Sequence, residues 1–232
     1  MKQFLSNYST LIIAVFLLIF LSGLGTAIAE PKGEDKVCFR WAFGAMVGPE
    51  NDRRLVAITR DTELKTGDQI KILVELQNRC FVYVIYRTKQ DEVHLLFPYN
   101  IQQFAAEYIL FKKYYIPQGN MWFELDENIG SETFYLLASA QRLIKLETLF
   151  KKYVSAETIG KQELVKQILA EIRKVKRRYR KFTTIAERPV PIGGSVRGIT
   201  KEEKTRCPDI DPIAAEVSAT TFYSRTFTID HR

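Results

Sequence analysis

Histidine and cysteine are scarce in this chain: the histidines are His94 and His231, the cysteines Cys38, Cys80 and Cys207. No CxxC or HxxxH spacing occurs among them, which argues against a metal centre of the common zinc type. Charge is almost absent from the N-terminus, where Lys2 is the only charged side chain before Glu30. Long apolar runs are few as well, and the one that stands out, Leu11 to Leu21, lies in this uncharged stretch. Cofactor fingerprints and nucleophile motifs are also missing, so the readable features concern address, fold and surface charge.

The N-terminal run is the length of a signal-peptide h-region. Ser22, Gly23, Gly25 and Thr26 loosen the helix after it, and Ala27-Ile28-Ala29 places small residues where signal peptidase accepts them. Cleavage after Ala29 is expected, with Ala27 and Ala29 as the recognised residues and Glu30 as the first residue of the mature protein. The competing reading is an uncleaved inner-membrane anchor over residues 11–29, just long enough for a thin bilayer at about 1.5 Å per residue. The strongly apolar part is shorter than a stable span, which favours export to the periplasm or the extracellular space. No Cys follows the h-region closely, so a lipoprotein is not expected.

Loss of residues 1–29 removes Lys2 and no acid, so the net charge of +7 becomes +6 and the mature chain stays basic. With 46% hydrophobic residues, the roughly 200 that remain suit one domain with a real core. An oxidising compartment permits one intramolecular disulfide, and three pairings of Cys38, Cys80 and Cys207 stay open. Cys80 opens an apolar strand and reads as a buried thiol, whereas Cys207 precedes Pro208 in a polar loop.

After a polar leader, Glu30 to Lys36, the mature chain shows short β-type runs separated by turn residues. Strands are expected at Val37–Val47, Leu55–Thr59, a half-buried Gln69–Leu76, Phe81–Tyr86, Val93–Phe97, Met121–Leu125 and Thr133–Ser139. Phe81–Tyr86 is apolar on both faces and pairs by hairpin with Val93–Phe97, so this pair is expected in the middle of a sheet. Pro98 ends the hairpin because it has no amide proton to donate.

The period changes after Ala140. Leu143, Leu146, Phe150 and Tyr153, then Leu164, Ile168, Ile172, Val175, Tyr179 and Phe182, recur at helical spacing on either side of a break around Gly160. A Pro/Gly-rich loop, Arg188 to Gly198, follows, and an alternating strand, Thr221–Asp230, closes the chain. The expected fold is mainly β within the α+β class. It is a β-sandwich-like single domain over residues 30–232, with a core at 64–139 plus 221–230 and a basic helical hairpin, 141–182, inserted before the last strand.

An ordered series of short motifs resembles the bacterial family catalogued as domain of unknown function 4384. The series runs Leu64-Lys65-Thr66-Gly67-Asp68, Cys80-Phe81-Val82-Tyr83-Val84, Leu95-Leu96-Phe97-Pro98, Ile116-Pro117 and Gly130-Ser131-Glu132, covering residues 64–139. Phe39-Arg40-Trp41-Ala42-Phe43 upstream and Arg142-Leu143-Ile144-Lys145-Leu146-Glu147 downstream look like extensions seen in exported members. The resemblance implies an envelope or extracellular β domain, often attached to peptidases or kinases, with no known active site of its own. It transfers no catalytic residue.

The search for chemistry ends in the same place. Gly193 to Thr200 has phosphate-loop spacing, but Ile199 stands where the lysine would be. Glu124 and Asp126 would share a strand face as an acid and base pair might, yet solvated edge residues are the better reading. His94 lies between Val93 and Leu95 without a nucleophile motif and reads as a strand-face histidine. The strongest polar feature is the run Arg173, Lys174, Lys176, Arg177, Arg178, Arg180 and Lys181, seven cations in nine positions. With Val175, Tyr179 and Phe182 taking the inner stripe, this charge forms a cationic face suited to polyanions. The competing reading is a solvated helix end, where cations are favoured in any case.

The function expected from the sequence is therefore a non-catalytic periplasmic or cell-envelope interaction module. Its partner is a protein or an anionic envelope component, with nucleic acid a lesser candidate and no stable membrane span after cleavage. The alternative is an envelope hydrolase or carbohydrate-acting enzyme using Phe104–Tyr115 as a cleft.

Overall fold

The computed structural model describes residues 36–106, 108–180, 185–189 and 208–232. The expected signal peptide with Ala27 and Ala29, the Gly193–Thr200 loop, Lys181, Phe182 and Cys207 lie outside these residues.

Two sheets, antiparallel except for one strand pair, face each other. The first has the order β10 (Ile185–Pro189), β11 (Ala215–Ala219), β1 (Val37–Val47), β4 (Gln69–Leu76) and β7 (Lys113–Ile116). The short strands β2 (Arg54–Ala57) and β8 (Phe123–Glu124) extend it beside β1 and β4. The second sheet runs β3 (Thr62–Leu64), β12 (Phe222–His231), β9 (Gly130–Ser139), β5 (Phe81–Arg87) and β6 (Val93–Phe97), with β3 parallel to β12. Between the sheets, the period of two puts Phe39, Trp41, Phe43 and Ala45 of β1 and Ile70, Ile72, Val74 and Leu76 of β4 against Val82, Val84, Phe134, Leu136, Phe227 and Ile229.

The other face of the second sheet is covered by helices, which makes a third layer. After a single turn of helix, α1 (Gln103–Ala106), come α2 (Ile144–Ser155) and α3 (Thr158–Tyr179). Leu143, Leu146, Phe150, Ile168, Ile172 and Val175 pack against Tyr83, Ile85, Leu137 and Phe222, with Leu164 and Tyr179 at the margin. Ile168 is fully buried. The hairpin is thus docked through the residues that the spacing selects, and the mainly β sandwich with an inserted helical hairpin is the observed fold.

Several details depart from the expectations. Of the β5–β6 hairpin, expected in the middle of a sheet, only β5 is internal, because β6 is the outer strand of its sheet: His94 is exposed and among the described residues no strand pairs beyond it. β5 reads as apolar on both faces because alternate residues serve two cores. Val82 and Val84 face the other sheet, while Tyr83 and Ile85 face the helices. Strand β4 is buried almost throughout rather than half-buried, because Ile210, Ala214 and Trp122 cover its outer face around Leu73. Lys71 survives there by donating to the carbonyls of Gly119 and Met121 at 2.7 and 2.8 Å, and Glu75 by accepting from Arg40 at 2.7 Å. The Met121–Leu125 signal shrinks to Phe123–Glu124, and Gly160 lies inside α3, the break coming at the extended Ala156 and Glu157. Arg188 and Pro189, expected to open a loop, end β10, whose Ile185–Pro189 register matches Ala219–Ala215 of β11.

A buried polar cluster ties the hairpin to the sheet. The Tyr83 hydroxyl donates to Glu147 Oε1 at 2.7 Å and accepts from the Leu143 amide at 2.9 Å. Glu147 is buried and is neutralised by Arg142. Burial, reinforced by the Glu147 carboxylate, holds the Tyr83 phenol well above the usual tyrosine range. A second tie within the hairpin is Lys145 Nζ to Glu171 Oε2 at 2.9 Å.

Candidate functional site

The last two turns of α3 present the cationic run as the spacing requires. Val175 is buried and Tyr179 partly so, leaving Arg173, Lys174, Arg177, Arg178 and Arg180 exposed. Among the described residues none of these five cations is in an ion pair, although Glu147, Glu171 and Glu187 elsewhere each hold one. Lys176 differs from them. It leans inward, its Nζ 2.9 Å from Thr226 Oγ1, and burial lowers its pKa.

Arg173, Lys176, Arg177 and Arg180 succeed one another at spacings of three, one and three, so they share the side of α3 next to strand β12. There they rim a cleft of about 530 Å³, whose remaining lining is Tyr179, Phe222, Ser224 and Ile185. The Tyr179 ring stacks on that of Phe222, 5.0 Å between centroids and 20° between planes. Among the described residues no acidic one lines the cleft. The sequence identifies the cations but not the other wall: β10 was not expected, and only the α3–β12 contact makes Phe222 and Ser224 neighbours of the basic run.

A second cleft, of about 170 Å³, opens at another margin of the sandwich and includes Tyr86, Glu124, Asp126, Glu132 and His231. Its polar groups serve the fold. Tyr86 donates to Glu132 at 2.6 Å, His231 Nε2 lies 3.1 Å from Thr66 Oγ1, and Gln69 donates to Glu124 at 2.8 Å. Asp126 accepts from the Asn128 amide and side chain at 2.8 and 2.7 Å, which hold its carboxyl below the usual range. Glu124 and Asp126 are both exposed, and they do not share a strand face because β8 ends at Glu124. His94 stacks on Tyr86 at 5.9 Å at the open edge of β6.

In the aromatic segment between Phe104 and Tyr115, Phe104, Tyr108 and Tyr114 are committed to packing, while Ile109, Leu110 and Phe111 are exposed. Phe104 meets Phe81 and Tyr83 edge-on, and Tyr108 and Tyr114 pack on Phe97. Among the described residues no group of three or more His, Cys, Asp or Glu is placed to hold a metal ion. No helix among them is long and apolar enough to cross a membrane. Cys38 and Cys80 are both free thiols, and Cys80, next to the Cys38 carbonyl, is buried.

Residues 63–142 match the family model described as Domain of unknown function (DUF4384). That stretch is similar to the family and makes up less than half of the chain. No curated protein and no solved structure matches the chain. The matched segment supplies β4 to β9 and ends at Arg142, at the polar cluster that docks the hairpin. Its motifs occupy structurally demanding positions. In Leu64–Asp68, Gly67 takes φ +86° and Asp68 accepts from the Lys65 amide at 2.8 Å. Gly130 opens β9 with Lys89 so close that an added Cβ would lie 2.7 Å from its Cδ. The cationic run lies outside the segment, on α3.

Proposed function

We propose that this protein is a non-catalytic interaction module of the cell envelope that captures an anionic envelope component on the basic face of α3. The observation that carries this reading is the set of five exposed cations on two helical turns that have no ion-pair partner among the described residues. Surface cations that serve stability alone are commonly interspersed with acids, whereas an uncompensated group keeps its field for a ligand. The helix C-terminus favours cations by itself, but that effect covers the last turn only and does not explain Arg173 and Lys174. The export signal expected at residues 1–29 would place the face among anionic headgroups and acidic polysaccharides, and the DUF4384 segment serves as the scaffold. The packing of Phe104, Tyr108 and Tyr114 and the internally satisfied second cleft favour binding over the hydrolase reading.

The test is co-sedimentation of the purified protein with vesicles containing phosphatidylglycerol, against phosphatidylcholine vesicles as control. Binding should require the anionic lipid and should weaken in the variant in which Arg173, Arg177, Arg178 and Arg180 are all replaced by Gln. A variant that melts normally and binds as well as the parent would overturn the proposal.

A further inference from the structure

A surface built only to attract polyanions needs no cavity, yet the cations nearest to β12 ring one. At about 530 Å³ it lies within the range of small-molecule sites, roughly 300–1,000 Å³. Its chemistry is divided. The rim is cationic, from Arg173, Lys176, Arg177 and Arg180, and the interior is apolar, from the stacked Tyr179 and Phe222 and from Ile185, whose side chain is half exposed. An inorganic anion would leave this apolar wall in contact with water. An uncharged hydrocarbon would strip water from four cations and return no charge to them. A ligand that satisfies both parts has an anionic head and an apolar tail.

We propose that the cleft between α3, Ile185 and the start of β12 binds a single-chain amphiphilic anion, an alkyl or acyl chain ending in a phosphate or carboxylate. The head sits among the guanidinium groups, which suit bidentate contact with such oxygens. The first methylenes lie along Ile185, Tyr179 and Phe222, and the arginine stems extend the apolar wall. Lys176, already held by Thr226 and partly desolvated, is the cation best placed at the inner end. This assignment rests on the reading of α3 as an anion-capturing face and adds the nature of what is captured.

The probes are decyl phosphate below its micelle concentration, inorganic phosphate and the uncharged decyl maltoside, each titrated into the purified protein by calorimetry. Decyl phosphate should bind saturably, one per chain, and at least tenfold more tightly than either of the others. Ser224→Trp fills the cleft without removing a cation, and Ile185→Ser shortens its apolar wall at an exposed position. Each should weaken decyl phosphate at least fivefold while leaving the salt-sensitive binding of phosphatidylglycerol vesicles in place if the ligand is a free amphiphile. If the source is a lipid of the bilayer, both bindings should fall together. Decyl phosphate no tighter than inorganic phosphate would overturn the cleft assignment, as would normal binding by both folded variants. If the four-arginine variant alone loses vesicle binding, the cationic face stands without the cleft; if it too is unaffected, both readings fall.

Discussion

Replacing Tyr83 with Phe removes one oxygen from the joint between the second sheet and the helical hairpin. That oxygen donates to the buried Glu147 carboxylate and accepts from the Leu143 amide just before α2. A hydrogen bond to a charged group contributes about 1.5–3 kcal/mol, and an orphaned buried donor costs about 1–3 kcal/mol. Glu147 keeps Arg142, so the two contributions do not add in full, and a net loss of about 2–4 kcal/mol is expected. For a domain of roughly 200 residues this lowers Tm by about 4–16 °C. Urea unfolding of the single variants Tyr83→Phe and Glu147→Gln and of the double variant should show a coupling energy of about 1 kcal/mol or more. A loss below about 0.5 kcal/mol with no coupling would mean that the hairpin is held by apolar contact alone.

Ile168 is fully buried between hairpin and sheet, so Ile168→Asp, which leaves an unpaired carboxylate there, should cost several kcal/mol; an unchanged melting temperature would show the hairpin free of the core. Tyr83, Tyr86 and Tyr223 have phenols held by burial well above the usual range, and burial pushes Tyr99 up to about 12. The folded state therefore keeps protons that the unfolded state loses near pH 10, and stability should be constant below that value and fall as pH rises through 12; a flat profile from pH 9 to 12 contradicts this. Burial likewise pushes the Cys80 thiol up to about 12, so in a Cys207→Ser background Cys38 should alkylate at pH 8 before Cys80, with equal native rates as the refuting result.

Much of the fold was legible because single rules decided it. Apolar β-type runs bounded by turn residues marked β1, β5 and β9, alternation marked β12, and the 3.6-residue spacing of Leu146, Phe150, Ile168, Ile172 and Val175 marked the hairpin and its buried side. What could not be read depends on partners distant in sequence. β3 and β11 are short and carry weak alternation of their own, being held by β12 and β1. β10, with Pro189 and half-exposed Ile185, is a strand only because β11 pairs with it. The burial of Lys71 and Glu75 likewise comes from residues 119–122 and Arg40 and leaves no local pattern. For the same reason the cationic run was visible along the chain, while the cleft beside it required the contact of α3 with Phe222 and Ser224.

The central claim, that the exposed cations of α3 capture an anionic envelope component, is tested most directly by the salt dependence of binding to phosphatidylglycerol vesicles. Exposed charges are screened over about 8 Å at physiological ionic strength, and each basic residue near an anionic surface contributes up to about 1 kcal/mol. Affinity should therefore drop steeply between low and high salt, and the variant lacking Arg173, Arg177, Arg178 and Arg180 should lose both most of its affinity and most of that salt dependence. An affinity that is indifferent to salt, or a slope unchanged in the folded variant, would contradict the account and place the binding surface elsewhere on the sandwich.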